Sequence, residues 1–225
     1  MRVVAIAHRG EPVGHRENTL PSFAAAVALG ADMVEIDLRR TRDGAIVVLH
    51  DQTLDRLWGL EASVGDVHLA EVAALGDGAV RIPTLSEVLQ AVPLPLMVDF
   101  TRREVVTGGL QAVRAAGALE RCLFVTGNVE ALRQLRAASA EARIGLTWLD
   151  GPEPPLALLR ELGAEYWNPW FGLITADGVD AVHEAGLRVS TWTVDTTEDM
   201  AGVLTAGVDA VVSNRVGALV AHLGR

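Results

Sequence analysis

The chain of 225 residues contains no lysine, a single cysteine and few aromatic residues. All nineteen basic residues are therefore arginine, and a role that lysine fills in a related protein would be vacant or reassigned here. The one cysteine, Cys122, excludes a disulfide framework within the chain. Its place in the apolar run CLFV predicts a buried structural thiol rather than a nucleophile or a metal ligand.

The chain also has a deficit of positive charge, since 19 basic and 29 acidic residues give a formal net charge of −10. Nonspecific binding to nucleic acid requires a cationic surface that releases counterions from phosphates. We therefore expect no nucleic-acid partner. An anionic ligand would need positive charge concentrated at its own site.

Long apolar runs are absent. The N-terminal run ends at His8, which is too short for a signal peptide or a membrane span, and the apolar stretch 23–31 is interrupted by Gly30 and followed by Asp32. We therefore expect a soluble, cytoplasmic protein without stable membrane insertion. The sequence gives no indication of the oligomeric state.

Half of the residues are hydrophobic, and a chain of this length suits one α/β barrel, so we expect a single domain over residues 1–225. Apolar segments predict strands at 3–8, 33–38, 46–50, 94–100, 122–127, 144–149, 165–170, 188–194 and 209–214. Helical patterns alternate with them at 19–29, 84–91, 129–138, 155–162, 176–185 and 198–206. This alternation predicts a (β/α)8 TIM barrel, with segment 46–50 as the return arm of a β-hairpin extension after the second strand and a short insertion at about 51–82.

Residues 35–50 carry the densest group of reactive side chains. Period-two alternation places Glu35 and Asp37 on one face of a strand. Asp43-Gly44 has the composition of a two-residue hairpin turn. If that turn forms, counting along the ladder places His50 directly opposite Asp37.

Further polar side chains occur where the predicted barrel strands end, and active sites of such barrels lie at that edge. Asp99 ends the third barrel strand and would join Glu35 and Asp37. Three converging carboxylates suit Mg²⁺ or Ca²⁺ rather than a thiophilic metal. His8, Arg9 and His50 flank the cluster, so the set predicts a site for phosphoryl transfer.

The motifs HRG at 8–10, ENT at 17–19, ExD at 35–37 and HD at 50–51, followed by PTLSEVL and WTVD, resemble the glycerophosphodiester phosphodiesterase family. The resemblance extends from the first predicted strand to the last. It implies a TIM barrel that uses a divalent cation to hydrolyse glycerophosphodiesters, such as glycerophosphocholine or glycerophosphoethanolamine, to an alcohol and sn-glycerol 3-phosphate.

The resemblance also implies residue roles. His8 and His50 would be the acid–base pair, Arg9 a phosphate ligand, and Glu35 and Asp37 metal ligands. Glu17 and Asn18 could simply start and cap the first helix, but we expect both to support the site residues, and the resemblance favours Glu17 as a group that orients Arg9 or His8. Trp192 is expected to form a wall of the substrate pocket, whereas Trp148, Trp167 and Trp170 could serve either packing or the pocket. We expect the remaining histidines, at positions 15, 68, 183 and 222, to be exposed or structural.

The sequence departs from the family on the third barrel strand, where Glu-x-Lys is replaced by Asp99-Phe100-Thr101. Two later differences, Asp195 and the pair Ser213-Asn214, are expected not to touch the group formed by the first half of the chain. Two alternatives stay open: a lysophospholipase D-like enzyme with an apolar entrance formed by 51–82, and a noncatalytic phosphodiester-binding barrel.

Overall fold

Eight parallel strands close into a barrel in the computed structural model, which describes residues 2–100 and 102–225. The strands in chain order are β1 (Val4–His8), β2 (Met33–Arg40), β3 (Ile46–Val48), β4 (Thr53–Leu54), β5 (Leu60–Ser63), β6 (Leu96–Asp99), β7 (Cys122–Thr126), β8 (Arg143–Trp148), β9 (Tyr166–Pro169), β10 (Arg188–Thr191) and β11 (Ala210–Ser213). The ring runs β1-β2-β6-β7-β8-β9-β10-β11 and closes by pairing of β11 with β1. The predicted fold and all nine predicted strands are confirmed.

Helices follow the barrel strands and cover the outside of the ring, except for two short ones that lie in the insertion at 51–82. They are α1 (Leu20–Ala28), α2 (Asp55–Trp58), α3 (Leu69–Ala73), α4 (Leu85–Ala91), α5 (Val106–Ala115), α6 (Val129–Ala138), α7 (Leu156–Leu162), α8 (Ala176–Glu184), α9 (Thr197–Thr205) and α10 (Val216–His222). Hydroxyl or amide side chains cap several of them. For example, Thr84 accepts from the backbone N–H of Glu87 at the start of α4.

Two hydrophobic layers separate the inside of the barrel from its outside. Alternate strand residues point inward and form a small interior cluster of Ile6, Met33, Met97, Leu123, Val125, Tyr166, Ala210 and Val212. Their neighbours along the strands point outward into the larger core beneath the helices. In β2, Val34, Ile36 and Leu38 belong to the outer core, so Glu35 and Asp37 point into the barrel as predicted.

The hairpin after β2 differs from the prediction by one residue. β3 pairs with β2 in the register Leu38↔Val48, and Thr41 N–H bonds the Ala45 carbonyl, which leaves a three-residue loop. The Thr41 hydroxyl donates to Asp43 Oδ1 at 2.6 Å and accepts from the Ala45 N–H at 3.0 Å, while Gly44 takes a φ of +89°. The predicted two-residue turn is therefore wrong, because the Thr41 side chain favours the longer loop.

The change of register moves His50 away from its predicted partner. Asp37 now faces Leu49, whose N–H bonds the Asp37 carbonyl at 2.9 Å, and β3 ends at Val48. His50 therefore lies beyond the ladder, and the prediction that it pairs directly with Asp37 is wrong.

The insertion at 51–82 forms a small layer with its own core. The two-stranded sheet β4–β5 and the short helices α2 and α3 pack around Leu54, Val64, Val72 and Ile82, which are buried against Val47 and Leu49. The buried apolar residues of the insertion therefore form a core of their own. Thr101, the position of the family lysine, lies outside the described residues.

Candidate active site

One cavity of about 280 Å³ opens at the carboxyl ends of the barrel strands. Seven of the residues singled out from the sequence line it: His8, Arg9, Glu35, Asp37, His50, Asp99 and Trp192. Met97, Val125, Val212 and Leu149 add apolar surface, and Thr126, Thr147 and Asn168 add polar groups. The cavity thus collects charged and polar groups over an apolar floor, as small-ligand sites do.

Three carboxylates form the polar centre of the cavity. Glu35, Asp37 and Asp99 each place an oxygen within 4.8 Å of the others. The parallel pairing of β2 with β6 sets Asp37 directly beside Asp99, and the pairing of β1 with β2 sets His8 beside Glu35. Strand register alone therefore creates the cluster, in agreement with the predicted neighbourhood of the second and third barrel strands.

Donors reach two of these carboxylates: Glu35 Oε2 accepts from the Arg9 backbone N–H at 3.0 Å, and Asp37 Oδ2 accepts from the Asn18 amide at 2.8 Å. Asp99 Oδ1 is buried and has no hydrogen-bond partner among the described residues. Burial, and then the charge of Asp37, raises the pKa of Asp99 to about 7 and raises the pKa of Glu35 well above its usual range. Buried carboxylates with an unpartnered oxygen fit a hard divalent cation, which would accept oxygen ligands and offset their repulsion.

Arg9 and Asn18 approach the cluster from the loop between β1 and α1. Both have left-handed backbone conformations, with φ of +57° and +56°, which are uncommon for residues other than glycine. The strained turns direct both side chains toward the carboxylates: Arg9 Nε lies 3.3 Å from Asp37 Oδ2, and Asn18 Nδ2 donates to the same oxygen at 2.8 Å. Glu17 Oε1 accepts from Arg9 Nη1 at 3.0 Å.

Asn18 does not cap α1, since Thr19 accepts from Ser22 N–H in that position. Glu17 therefore contacts Arg9, and Asn18 contacts Asp37. Neither residue starts the helix. With Nε beside Asp37 and Nη1 bound to Glu17, Nη2 of Arg9 has no partner among the described residues and is available to an anionic ligand.

His8 ends β1 and is largely buried, with Nε2 at 3.9 Å from Glu35 Oε2. Its Nδ1 lies 2.7 Å from Asn214 Oδ1, and Asn214 in turn donates through Nδ2 to Asp195 Oδ2 at 2.7 Å. Burial, with Arg9 acting in the same direction, lowers the pKa of His8. The expectation that Asp195 and Asn214 stay apart from the first-half residues is wrong, because ring closure brings the last strand beside the first.

His50 approaches the cavity from the other side and is more exposed, with 42% of its side chain accessible against 17% for His8. Its Nδ1 lies 2.8 Å from Asp51 Oδ1. A hydrogen bond from Arg56 lowers the pKa of Asp51 to about 2, and His50 contributes in the same direction. Arg56 lies on α2 of the insertion and also donates to Glu17 Oε1 at 2.7 Å.

Trp192 has its indole N–H bound to the Asn168 carbonyl at 3.0 Å, which holds the ring at the cavity wall. The other tryptophans have different surroundings. Trp167 is fully buried in the outer core, Trp148 packs against that core, and Trp170 is exposed. Cys122 is buried, and burial raises the pKa of its thiol to about 11, so the predicted structural thiol is confirmed.

The contacts of Asn214, Asp195 and Arg56 were not found by reasoning from the sequence. Each depends on the packing of distant segments, as in the His8–Asn214 contact between residues 206 positions apart. The one available signal was the pair of departures from the family at Asp195 and Asn214.

A barrel that holds carboxylates, two histidines and an arginine at its mouth has the groups needed to cleave a phosphate ester. A model of the glycerophosphoryl diester phosphodiesterase family matches residues 8–218. The sequence is 30% identical over 230 residues to a glycerophosphodiester phosphodiesterase of Caldanaerobacter subterraneus subsp. tengcongensis, and the match covers 95% of each chain.

Solved structures agree on the fold. A phosphodiesterase of Oleispira antarctica in complex with the product sn-glycerol 3-phosphate matches with a TM-score of 0.91 at 23% identity, covering 99% of this chain and 97% of that one. A glycerophosphodiester phosphodiesterase of Thermotoga maritima matches with a TM-score of 0.86 at 23% identity, covering 98% of this chain and 99% of that one. The chain belongs to the glycerophosphoryl diester phosphodiesterase family and is an enzyme of that family.

Proposed function

We propose that the protein is a metal-dependent hydrolase that cleaves small glycerophosphodiesters, such as glycerophosphocholine or glycerophosphoethanolamine, to an alcohol and sn-glycerol 3-phosphate. The observation that carries this proposal is the meeting of three carboxylates, two of them buried, with two histidines and Arg9 in one cavity. Glu35, Asp37 and Asp99 would hold Mg²⁺ or Ca²⁺. When bound, the cation supplies positive charge that neutralises and polarises the phosphate.

Three side chains of the cavity and its surroundings bind the substrate or hold a metal ligand in place. Arg9 binds a phosphate oxygen through Nη2, while Glu17 accepts from Nη1 and the Asp37 carboxylate lies 3.3 Å from Nε. Trp192 packs against the glycerol part of the substrate. Asn18 holds Asp37 through its amide.

His8 and His50 exchange the protons. One histidine takes a proton from the nucleophile, which is water or the neighbouring glycerol hydroxyl, as its oxygen forms a bond to phosphorus. The other gives a proton to the alcohol oxygen as its bond to phosphorus breaks. If the glycerol hydroxyl attacks, water then opens the cyclic phosphate to give the same products.

Replacing either His8 or His50 by alanine tests this assignment. We expect turnover of glycerophosphocholine to fall by about 10²-fold or more, because each proton transfer contributes roughly that factor. Release of sn-glycerol 3-phosphate, followed with a coupled dehydrogenase, measures the rate in Mg²⁺, in Ca²⁺ and in excess EDTA. EDTA should abolish turnover, and the added cation should restore it.

His222→Ala is the matched control, because His222 is exposed on α10 and does not line the cavity. It should keep the wild-type rate, and all three variants should keep the wild-type circular dichroism spectrum. Near wild-type activity in His8→Ala or His50→Ala, or full activity in EDTA, would contradict the proposal.

A lysophospholipase D-like activity is the second candidate, and Leu149 favours it. This side chain is 63% exposed and lines the cavity, so it offers an apolar contact for an acyl chain at the mouth. The predicted apolar entrance from 51–82 finds no support, because no residue of that segment lines the cavity. The two candidate activities are distinguished by measuring kcat/KM for glycerophosphocholine and for lysophosphatidylcholine, in wild type and in Leu149→Ser. If the lipid is a substrate, kcat/KM for lysophosphatidylcholine should fall in the variant, whereas kcat/KM for glycerophosphocholine should not change.

The noncatalytic barrel is the weakest alternative, since the chain belongs to a family of enzymes and keeps both histidines.

No helix among the described residues is long and apolar enough to cross a membrane. A single domain over 1–225 and a cytoplasmic location stay predictions from the sequence.

A further inference from the structure

The position of His8 depends on two residues from the opposite end of the chain. Asp195 follows β10 and Asn214 follows β11, and the two side chains are joined by the bond from Asn214 Nδ2 to Asp195 Oδ2 at 2.7 Å. Asp195 Oδ1 accepts from the backbone N–H of Asn214 at 2.8 Å and from the Ser213 hydroxyl at 3.1 Å. Both oxygens of Asp195 therefore hold the segment that faces His8.

This arrangement fixes the direction of the hydrogen bonds that link Asp195, Asn214 and His8. An ionised carboxylate can only accept, so the NH₂ group of Asn214 must face Asp195. The amide oxygen must then face His8, and an amide oxygen also can only accept. Nδ1 of His8 must therefore carry the proton, which leaves Nε2 unprotonated on the side of Glu35.

We propose that Asp195 is a positioning residue for His8: it orients the amide of Asn214 and thereby holds neutral His8 as the Nδ1–H tautomer with Nε2 open to the cavity. The inference rests on the proposed proton-transfer role of His8. Asp195 itself does not line the cavity, so it acts through Asn214 and not on the substrate.

The tautomer can be measured without any substrate. In protein labelled with ¹⁵N-histidine, long-range ¹⁵N–¹H correlation spectra at about pH 8, well above the ordinary histidine pKa, distinguish the two neutral forms. The signals of His8 are assigned by their absence in His8→Ala. We expect wild-type His8 to be the Nδ1–H form. An Nε2–H form would overturn the proposal.

Asp195→Ala removes the group that orients Asn214. The amide can then turn its NH₂ toward His8, so we expect a mixture of tautomers and a fall in kcat of about 10-fold or more, since a misplaced proton disables acid–base transfer. KM should change by less than about 2-fold, because Asp195 does not touch the phosphate or the cation ligands. An unchanged tautomer and an unchanged kcat would overturn the proposal.

Exchanging the two side chains gives a test by rescue. Asn214→Asp alone sets two carboxylates against each other where a donor met an acceptor, and we expect kcat to fall by about 10-fold or more. Adding Asp195→Asn restores a donor–acceptor pair with the roles reversed, while the new carboxylate still accepts from Nδ1–H. The double variant should recover kcat to within about 3-fold of wild type. A double variant no better than Asn214→Asp would contradict the mechanism.

Asp199→Ala is the matched control. Asp199 is a nearby carboxylate that accepts from the Thr196 hydroxyl at 2.6 Å and does not contact His8. It should leave both the spectrum of His8 and kcat unchanged. If wild-type protein hydrolyses no glycerophosphodiester, the proposed function fails, whereas the tautomer measurements still decide the role of Asp195.

Discussion

Arg56 lies outside the cavity but binds acidic partners of two cavity residues. It donates to Asp51, which bonds His50, and to Glu17, which bonds Arg9. An exposed ion pair contributes little to stability, typically about 0–1 kcal/mol. Arg56 matters here for geometry, because its guanidinium holds Asp51 and Glu17, the partners of His50 and Arg9, at a fixed distance from each other.

Arg56→Met should therefore reduce activity more than stability. We expect kcat for glycerophosphocholine to fall by about 10-fold, since a small misplacement of a reacting group is costly, while the free energy of unfolding changes by less than about 1 kcal/mol. Steady-state kinetics and urea unfolding measure the two effects.

Arg133→Met provides the matched control. Arg133 also bridges two carboxylates, Glu130 and Glu161, and is 46% exposed against 47% for Arg56, but it lies on α6 and does not line the cavity. It should keep full activity. Equal kinetic losses in the two variants would contradict a positioning role for Arg56.

At the scale of elements, apolar segments predicted the strands well, because parallel barrel strands are buried on both faces and therefore form nearly continuous apolar runs. Of the helices that cover the ring, α5 and α10 were not predicted. In α5 the reason can be named. Its Gly108 and Gly109 disfavour a helix on propensity, yet a Cβ at Gly108 would lie 2.8 Å from Ile46 Cδ1. Glycine at this position leaves room for the Ile46 side chain of β3 beneath the helix, a tertiary reason that local propensity does not contain.

The hairpin loop shows the opposite case, in which a local rule was applied and failed. Asp43-Gly44 suits a two-residue turn, but the hydroxyl of Thr41 stabilises a loop of three. The register changed by one residue, yet His50 still lines the cavity because it lies past the end of β3. The gathering of these residues at one cavity was thus predictable from the sequence, whereas the pairing of His50 with Asp37 was predicted wrongly.

The capping box of α4 allows a direct test of element stability. Thr84 accepts from Glu87 N–H at 3.2 Å, and Glu87 accepts from Thr84 N–H at 2.8 Å. Thr84→Ala should lower the free energy of unfolding by about 1 kcal/mol, measured by urea unfolding at pH 7.

Thr205→Ala serves as the control for that variant. The Thr205 hydroxyl donates to the Ala201 carbonyl within α9 and caps no helix N-terminus, so its loss should cost only a few tenths of a kcal/mol. Equal stabilities of the two variants would show that the cap at Thr84 contributes nothing.

At the scale of the whole molecule, Asp32 links the segment at β1 to the segment after α10, close to where β11 pairs with β1. Its Oδ2 accepts from Ala5 N–H at 2.9 Å and from Arg225 at 2.6 Å, and its Oδ1 accepts from Arg2 at 2.6 Å. The carboxylate thus fastens the start of β1 to the residue that follows α10.

Asp32→Ala should therefore destabilise the whole barrel. We expect a loss of about 1–3 kcal/mol, because the Ala5 N–H loses its charged acceptor. Arg225→Ala, which removes the ion pair with Asp32 and an exposed hydrogen bond to the Val3 carbonyl but leaves the Ala5 N–H its acceptor, should cost about 1 kcal/mol or less. Urea unfolding with an unchanged m-value checks the comparison, and a larger effect from Arg225→Ala would contradict it.

Arg39 has a consequence for how this enzyme can lose activity. The last backbone hydrogen bond between β2 and the return arm is that of Leu49 N–H to the Asp37 carbonyl, and beyond it Arg39 donates to the carbonyls of Leu38, His50 and Asp51. The segment that carries His50 is therefore anchored by a side chain and can open locally without breaking a hydrogen bond of the barrel ring. Two samples with the same spectrum and the same melting temperature can thus still differ in the fraction of molecules whose His50 is in place for catalysis.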